Sequence, residues 1–411
     1  MSARSESSFP PAEAGRAAEA VALGLVLLTV SWGLLHLGFW HRNPIIDTPV
    51  YQGYGEKVLD GQVPYRDFDV EYPPAALPVF ILPAFAAEGD YASAFELLMW
   101  MCAVATIVLL VAALSAAGAG PARLFAATCF AGLAPLMLGS VILSRFDLWP
   151  AALLTGALAA LAAGRHRLGF GVLGLAAAAK LYPAVGLPVA LVWVARRRRV
   201  REAAIALAVF LAVLAAVMLP FVVLSPGGVA HSLTEQLGRP LQIESLGASL
   251  LLAAHQLGAY EPTVVSTHGS QNLDGTLPDA LGVVQTALQL IALVAVWVVA
   301  ARAGPERDRL LAGGAAAVAA FVAFGKVLSP QFLIWLLPLV PLVAGLAGVT
   351  ACWVLAAALV TTQVWFPHRY WHVVALEPVG WLVLVRDLLL LVLFGVLLAA
   401  IGREREEPRS A

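Results

Sequence analysis

The stretch RRRRVREAAIALAVFLAVLAAVMLPFVVL, residues 196–224, sets the fold class because it joins a run of arginines directly to a long apolar segment. A hydrocarbon core of about 30 Å requires roughly 20 apolar residues for each crossing helix. Residues 202–224 meet that length. Short cytoplasmic loops of membrane proteins are rich in Lys and Arg. The stretch therefore predicts a transmembrane helix that begins on the cytoplasmic side.

Apolar runs of similar length recur along the chain, which is 61% hydrophobic and only 12% charged. An outer-membrane barrel would show short alternating strands, so the sequence predicts an all-α polytopic membrane protein with about 10–12 transmembrane helices. The first run lacks a small-residue cleavage site and is interpreted as an uncleaved helix. The predicted spans lie near residues 17–38, 91–117, 122–143, 147–163, 202–224, 279–301, 309–325, 331–347, 349–366 and 379–401.

The arginine clusters predict which loops are cytoplasmic. The clusters assigned to that side are 165–167, 196–201, 302–309 and 403–409. By alternation both termini are cytoplasmic. The expected organisation is a single transmembrane domain over residues 16–401, with a large first outer loop (39–90), a second outer loop (225–278) and two polar tails predicted to be disordered (1–15 and 402–411).

Two segments do not fit a simple crossing. Residues 168–195 lie between two cytoplasmic clusters and are short for two full crossings. Pro183 disfavours helix at the residue before it, so a broken helical hairpin with its break at 180–183 is expected. Residues 75–87 are apolar but short and contain two prolines, which favours a re-entrant or interfacial piece.

Two of the chain's three lysines lie in apolar surroundings. Lys180 is found in AAAAKLYP and Lys326 in AFGKVLSP. An ionisable group inside a membrane domain is costly and marks a functional-site candidate. Snorkelling to the outer interface or pairing with a carboxylate would explain these lysines structurally, whereas ligation of an anion would explain them functionally.

The first outer loop contains PYRDFDVEYPP, residues 64–74, with three carboxylates in five positions. Any one of them is explained by solvation, and the tyrosines by anchoring at the membrane interface. Together with deep lysines, however, outer carboxylates favour sugar transfer from a lipid-linked phosphate. A carboxylate acts as base for the acceptor hydroxyl, and cations stabilise the phosphate that leaves. No Cys/His cluster suggests a metal site, and no metal is expected.

Five motifs follow one another in the order of a known family. They are residues 47–51, GQVPYRDFDVEYPP (61–74), AAAAKLYPAVGLP (176–188), GRPLQIES (238–245) and KVLSPQFLIWLLP (326–338). With them the chain resembles the membrane-embedded C-type glycosyltransferase superfamily, and specifically glycosyltransferase family 87. That family contains polyprenol-phosphate-mannose-dependent mannosyltransferases. The resemblance to the superfamily implies the C-type glycosyltransferase fold.

The resemblance places a catalytic carboxylate early in the first outer loop, and Asp47 matches that position. If Asp47 instead caps a loop helix, Asp69 or Glu71 becomes the expected base. The residues expected to bind the donor phosphate are Lys180, Arg239, Lys326 and Arg145. The residues expected to shape the acceptor side or the loops are Arg66, Tyr72, Gln242, Glu244, Gln331 and His368, with Ser245 in support.

The implied activity is inverting transfer of a sugar, mannose or another sugar on the same carrier, from polyprenyl phosphate to an extracytoplasmic glycolipid or glycan of the cell envelope. The active site would face outward from the plasma membrane. The lipid-linked donor is a co-substrate; no cofactor and no nucleic acid are expected. A transporter or flippase would share the deep lysines and the broken hairpin. A non-catalytic scaffold would tolerate replacement of the outer carboxylates.

Overall fold

The computed structural model describes residues 11–41, 45–87 and 89–402, in which α-helices dominate. The helices are α1 (Pro11–Leu34), α2 (Thr48–Leu59), α3 (Leu77–Ile81), α4 (Tyr91–Ala116), α5 (Pro121–Leu138), α6 (Leu148–Ala162), α7 (His166–Ala179), α8 (Leu187–Arg197), α9 (Val200–Leu224), α10 (Pro226–Gly238), α11 (Leu246–Gln256), α12 (Thr276–Arg302), α13 (Arg307–Ala323), α14 (Gly345–Trp365), α15 (Tyr370–Val374) and α16 (Gly380–Gly402). The predicted all-α polytopic class is confirmed.

Seven helices of the described chain are long and apolar enough to cross a membrane: α1, α4, α5, α9, α12, α14 and α16. The spans predicted at 147–163 and 309–325 correspond to α6 and α13, which have 15 and 17 residues. These two helices are alanine-rich and buried along most of their length, so they form the centre of the bundle. Small side chains permit this close packing. The predicted total of about 10–12 therefore includes several pieces shorter than a full span.

The prediction of one spanning helix over residues 331–347 is wrong. That segment forms two short 3₁₀ helices, Pro330–Leu336 and Val340–Leu342. A proline removes a backbone donor and clashes with the preceding turn, and Pro338 and Pro341 interrupt the segment in this way.

The broken hairpin is confirmed. Helix α7 ends at Ala179, and Lys180 has extended backbone angles, φ −158° and ψ 143°. A 3₁₀ helix, Tyr182–Gly186, then leads into α8. Because Lys180 lies beyond the end of α7, its side chain is not confined to the surface of that helix.

The apolar piece at 75–87 packs under the first outer loop. It forms short consecutive helical turns over Pro74–Phe85. The Phe80 ring stacks on Tyr51 of α2 with ring centroids 4.6 Å apart. At Gly55 of α2, a Cβ would lie 2.5 Å from the Phe80 carbonyl oxygen, so the two segments are in close contact.

The second outer loop contains a small antiparallel sheet that the sequence analysis did not predict. Its strands are β1 (Leu241–Gln242), β2 (Thr263–Thr267) and β3 (Ser270–Asp274), in the order β1-β3-β2. His268 and Gly269, which join β2 to β3, both have positive φ. Two such residues form the tight turn that suits the twist of a hairpin.

The predicted tails agree only in part with the structure. Residues 11–15 belong to α1, so the prediction of disorder is wrong for them. The sequence PAEAG begins with a proline, which is favourable at the first helical position, and Ala12, Glu13 and Ala14 are good helix formers. Residue 402 ends α16. Residues 1–10 and 403–411 lie outside the described residues.

Three of the arginine clusters predicted to be cytoplasmic lie at one end of the bundle, and the fourth, 403–409, is outside the described residues. Arg196 Nη1 donates to the Ala301 carbonyl at 2.8 Å, and Trp193 Nε1 donates to the Glu306 carbonyl at 3.0 Å. Arg167 pairs with Glu202 at 3.3 Å. The clusters at 165–167, 196–201 and 302–309 are therefore neighbours, as a shared membrane face requires.

The first outer loop docks on the start of α10 through a glycine. Ser225 Oγ donates to the Tyr65 carbonyl at 2.8 Å, and a Cβ on Gly228 would lie 1.8 Å from that same oxygen. We expect Gly228→Ala to lower the free energy of unfolding by about 1–3 kcal/mol, because the loop must shift away from α10. Thermal unfolding in detergent measures the effect. Gly227→Ala, whose Cβ would meet nothing within 4 Å, is the matched control and should show a clearly smaller change.

Candidate functional site

A cavity of about 310 Å³ lies between the first outer loop, the hairpin break, α10, α12 and the segment after α13. Three cations from widely separated parts of the chain line it: Lys180, Arg239 and Lys326. Glu71 and Tyr72 of the first outer loop form another part of its wall. The structure therefore brings together three of the four residues predicted to bind the donor phosphate.

Lys180 is held in the wall by a buried carboxylate. Its Nζ lies 2.6 Å from Oδ1 of Asp147, and Trp335 Nε1 donates to the same oxygen at 2.5 Å. The Lys180 side chain is 13% exposed and Asp147 is fully buried. The sequence left open whether Lys180 pairs with a carboxylate. In the structure Lys180 pairs with Asp147 and also lines the cavity.

Aromatic rings surround the Lys180 ammonium. Its Nζ lies between 4.5 and 5.8 Å from the ring centroids of Phe146, Trp335, Phe332 and Tyr72. Ring faces attract a cation and exclude water from it. The result is an ammonium group in the cavity wall that is largely shielded from water.

The other two cations are held by the second outer loop. Arg239 Nη2 donates to Ser270 Oγ at 2.9 Å, and Lys326 Nζ donates to the Leu237 carbonyl at 3.2 Å. The backbone N–H of Gln242 donates to the Lys326 carbonyl at 3.0 Å, which joins the motif at 238–245 to the one at 326–338. Burial raises the pKa of Glu71, and the nearby charge of Arg239 opposes that shift.

Asp47 lies at the start of α2 and is paired with Arg145. The Tyr51 hydroxyl donates to Asp47 Oδ2 at 3.3 Å, and Arg145 Nη2 donates to the Ile45 carbonyl at 3.3 Å. Asp47 occupies the N-cap position of α2, but its side chain makes no capping hydrogen bond. Asp69 and Glu71 therefore stay open as alternative bases. Asp47 and Arg145 are not among the residues that line the cavity, so the structure joins Arg145 to Asp47 and not to the other cations.

The remaining predicted residues occupy different surroundings. Arg66 is exposed and paired with its neighbour Asp67, and that pairing lowers the pKa of Asp67 to about 2. Asp69 is exposed in the same loop. Gln331 accepts a hydrogen bond from Ser329 at 3.1 Å, and the His368 ring packs against Phe39. None of these lines the cavity, whereas Tyr72 does.

Gln242 and Glu244 belong to a buried polar cluster beside the cavity. Gln242 Nε2 donates to Glu244, and Arg386 Nη2 donates to the Glu244 carbonyl at 2.6 Å. Arg386 Nε in turn donates to Asp387 Oδ1 at 2.7 Å. Burial raises the pKa of Glu244 to about 7, and the charges of Arg386 and Arg145 oppose that shift. The cluster fastens α16 to the second outer loop.

Sequence reasoning missed three of these residues as site components. Arg386 and Asp387 interrupt an otherwise apolar spanning helix, and a charge at such a position is itself a signal of function or of a buried pair. Asp147 is not among the residues that the sequence analysis predicts for the site. Its signal is that it follows Arg145 by two positions at the start of an apolar helix.

The comparisons with known proteins identify the family of the chain. The profile of glycosyltransferase family 87 matches residues 71–330, well over half of the 411-residue chain. The matched region contains Lys180, Arg239 and Lys326 and begins after Asp47. No curated protein matches the chain. The chain belongs to glycosyltransferase family 87 and is a multi-pass membrane glycosyltransferase, as its motifs predict.

Proposed function

We propose that this glycosyltransferase moves a sugar, mannose in the first instance, from a polyprenyl-phosphate donor to a glycolipid or glycan of the cell envelope. The observation that supports this is the convergence of Lys180, Arg239 and Lys326 on one cavity. These residues come from the hairpin break, the second outer loop and the segment after α13, so only folding brings them together. A lipid-linked phosphate needs such a cluster of cations beside apolar surface.

The cavity walls suit both parts of the proposed donor. Arg239 and Lys326 offer charged donors to the phosphate, and hydrogen bonds to charged groups are stronger than neutral ones. Leu181 of the hairpin break and Leu233 and Leu237 of α10 supply apolar parts of the wall. In our proposal the phosphate binds the cations while the prenyl chain continues along these leucines toward the lipid.

Asp47 is the base of the proposed reaction. It takes the proton from the acceptor hydroxyl while that oxygen attacks the anomeric carbon of the sugar. The bond from that carbon to the phosphate oxygen breaks on the opposite side, and the phosphate leaves with the electron pair. Lys180, Arg239 and Lys326 stabilise the negative charge that develops on the phosphate. One displacement inverts the configuration at the anomeric carbon.

We further propose that the site faces the outside of the plasma membrane and that both termini are cytoplasmic. The neighbouring arginine clusters support this orientation, because short basic loops remain in the cytoplasm. In this proposal the acceptor enters beside Glu71 and Tyr72, two residues of the first outer loop that line the cavity.

A purified protein in liposomes tests the activity. The liposomes contain radiolabelled polyprenyl-phosphate mannose and a glycolipid extract from the cell envelope, and mass spectrometry follows the acceptor. We expect an acceptor heavier by one hexose. The broken hairpin also suits a transporter, since discontinuous helices are typical of that class. Movement of the donor between leaflets with no change in any acceptor would support the transporter and refute the transferase.

Lys326→Gln should weaken use of the donor. Removing one charged hydrogen bond to the phosphate is expected to raise the donor KM about tenfold, with the protein still inserted in the membrane. Steady-state kinetics over a range of donor concentration measures this. Lys57→Gln is the matched control, because Lys57 is exposed on α2 and lies over the Phe68 ring. A donor KM that is the same in both variants would make Lys326 a structural residue.

A further inference from the structure

Two ion pairs connect the proposed base to the cavity. Arg145 and Asp147 are two residues apart in the turn that precedes α6. Arg145 pairs with Asp47, and Asp147 pairs with Lys180. Charge therefore alternates along a row of four side chains that begins at Asp47 and ends in the cavity wall at Lys180.

The two inner members of this row each keep an unused polar atom. Asp147 Oδ2 and Arg145 Nε have no hydrogen-bond partner among the described residues. Both residues are more than nine-tenths buried. Arg145 and Asp147 are opposite charges in one turn, and the charge of Asp147 favours the charged form of Arg145. A buried charge that loses its partner is strongly unfavourable, so a second arrangement in which Arg145 pairs with Asp147 is available whenever Lys180 is drawn away.

We propose that Asp147 is a positioning residue that couples occupation of the phosphate site to release of the base Asp47, an inference that rests on the proposed function. A donor phosphate binds Lys180 and draws it from Asp147. Asp147 then takes Arg145 as its partner, and Asp47 loses the cation that holds it. The carboxylate becomes available to the acceptor hydroxyl only when a donor is in place.

The first test uses the unmodified protein. Purified protein in nanodiscs is treated with a water-soluble carbodiimide and an amine, and peptide mass spectrometry follows the labelling of Asp47. Polyprenyl phosphate without a sugar is the probe, because it fills the phosphate site and leaves the sugar position open. We expect the carrier to accelerate labelling of Asp47 about fivefold or more, as for typical coupling between two sites. Unchanged or slower labelling at saturating carrier would overturn the proposal.

The second test uses Asp147→Asn. The neutral side chain cannot attract Arg145, so the carrier should no longer accelerate labelling of Asp47. We expect kcat to fall about tenfold while the donor KM is unchanged or lower, because Lys180 is then freer to bind phosphate. If Asp147→Asn only lowered the stability of the protein, the molecules that stay folded would still show faster labelling of Asp47 with the carrier. Retention of that effect in Asp147→Asn is incompatible with the proposal.

The outcomes separate this inference from the proposed function. If the unmodified protein fails to bind polyprenyl phosphate and forms no product, the proposed function fails and the coupling fails with it. If the carrier binds and transfer is normal but labelling of Asp47 does not respond, only the coupling is refuted.

Discussion

Asp47→Asn is expected to reduce the turnover of sugar transfer by about 10²–10⁴-fold, the usual contribution of a positioned base. The amide keeps the size of the side chain and its contact with Tyr51 but cannot take the acceptor proton. Binding of the donor should persist, because Lys180, Arg239 and Lys326 are unchanged. Single-turnover transfer from polyprenyl-phosphate mannose measures the chemical step, and binding of polyprenyl phosphate measures the phosphate site separately.

Asp60→Asn is the matched control for this prediction. Asp60 follows α2 at the opposite end from Asp47 and is exposed. Asp69→Asn and Glu71→Gln test the alternative bases directly. Normal turnover in Asp47→Asn, together with a loss of 10²-fold or more in Glu71→Gln, would move the base to the cavity wall.

The features of the fold that depend on local chemistry could be predicted from the sequence. The break of the hairpin is predicted correctly from Pro183, because the proline ring disfavours helix in the residue before it. Pro338 and Pro341 interrupt residues 331–347 by removing backbone donors and clashing with the preceding turn. The apolar composition of that segment nevertheless predicts a span, which is why the prediction is wrong there.

The pairing of charges could not be predicted in the same way. The sequence identified Lys180 as unusual because of its apolar neighbours, yet its partner Asp147 is 33 residues away. The partner of Arg145, Asp47, lies in a different loop, so their contact depends on how the first outer loop docks. Arg386 and Asp387 do not stand out in the sequence, because the apolar composition of α16 outweighs one adjacent pair of opposite charges.

Arg386→Leu is expected to lower the free energy of unfolding by about 3–5 kcal/mol, the usual consequence of removing one partner from a buried ion pair. The change leaves Asp387 charged and uncompensated within α16, and it removes the donor to the Glu244 carbonyl. Both residues are fully buried, so water does not replace the lost partner. Unfolding in detergent micelles under increasing denaturant measures the effect.

The double variant Arg386→Leu/Asp387→Leu distinguishes the loss of the contacts of Arg386 from the cost of leaving Asp387 buried without a partner. Replacing both members of a buried pair by apolar residues is often nearly neutral, so the double variant should recover most of the stability. Arg167→Leu, which removes one partner of an exposed pair with Glu202, should change stability by only about 0–1 kcal/mol. A double variant as unstable as Arg386→Leu alone would assign the stabilisation to the hydrogen bond with the Glu244 carbonyl. The polar cluster would then act mainly by holding the second outer loop, and with it Arg239, against α16.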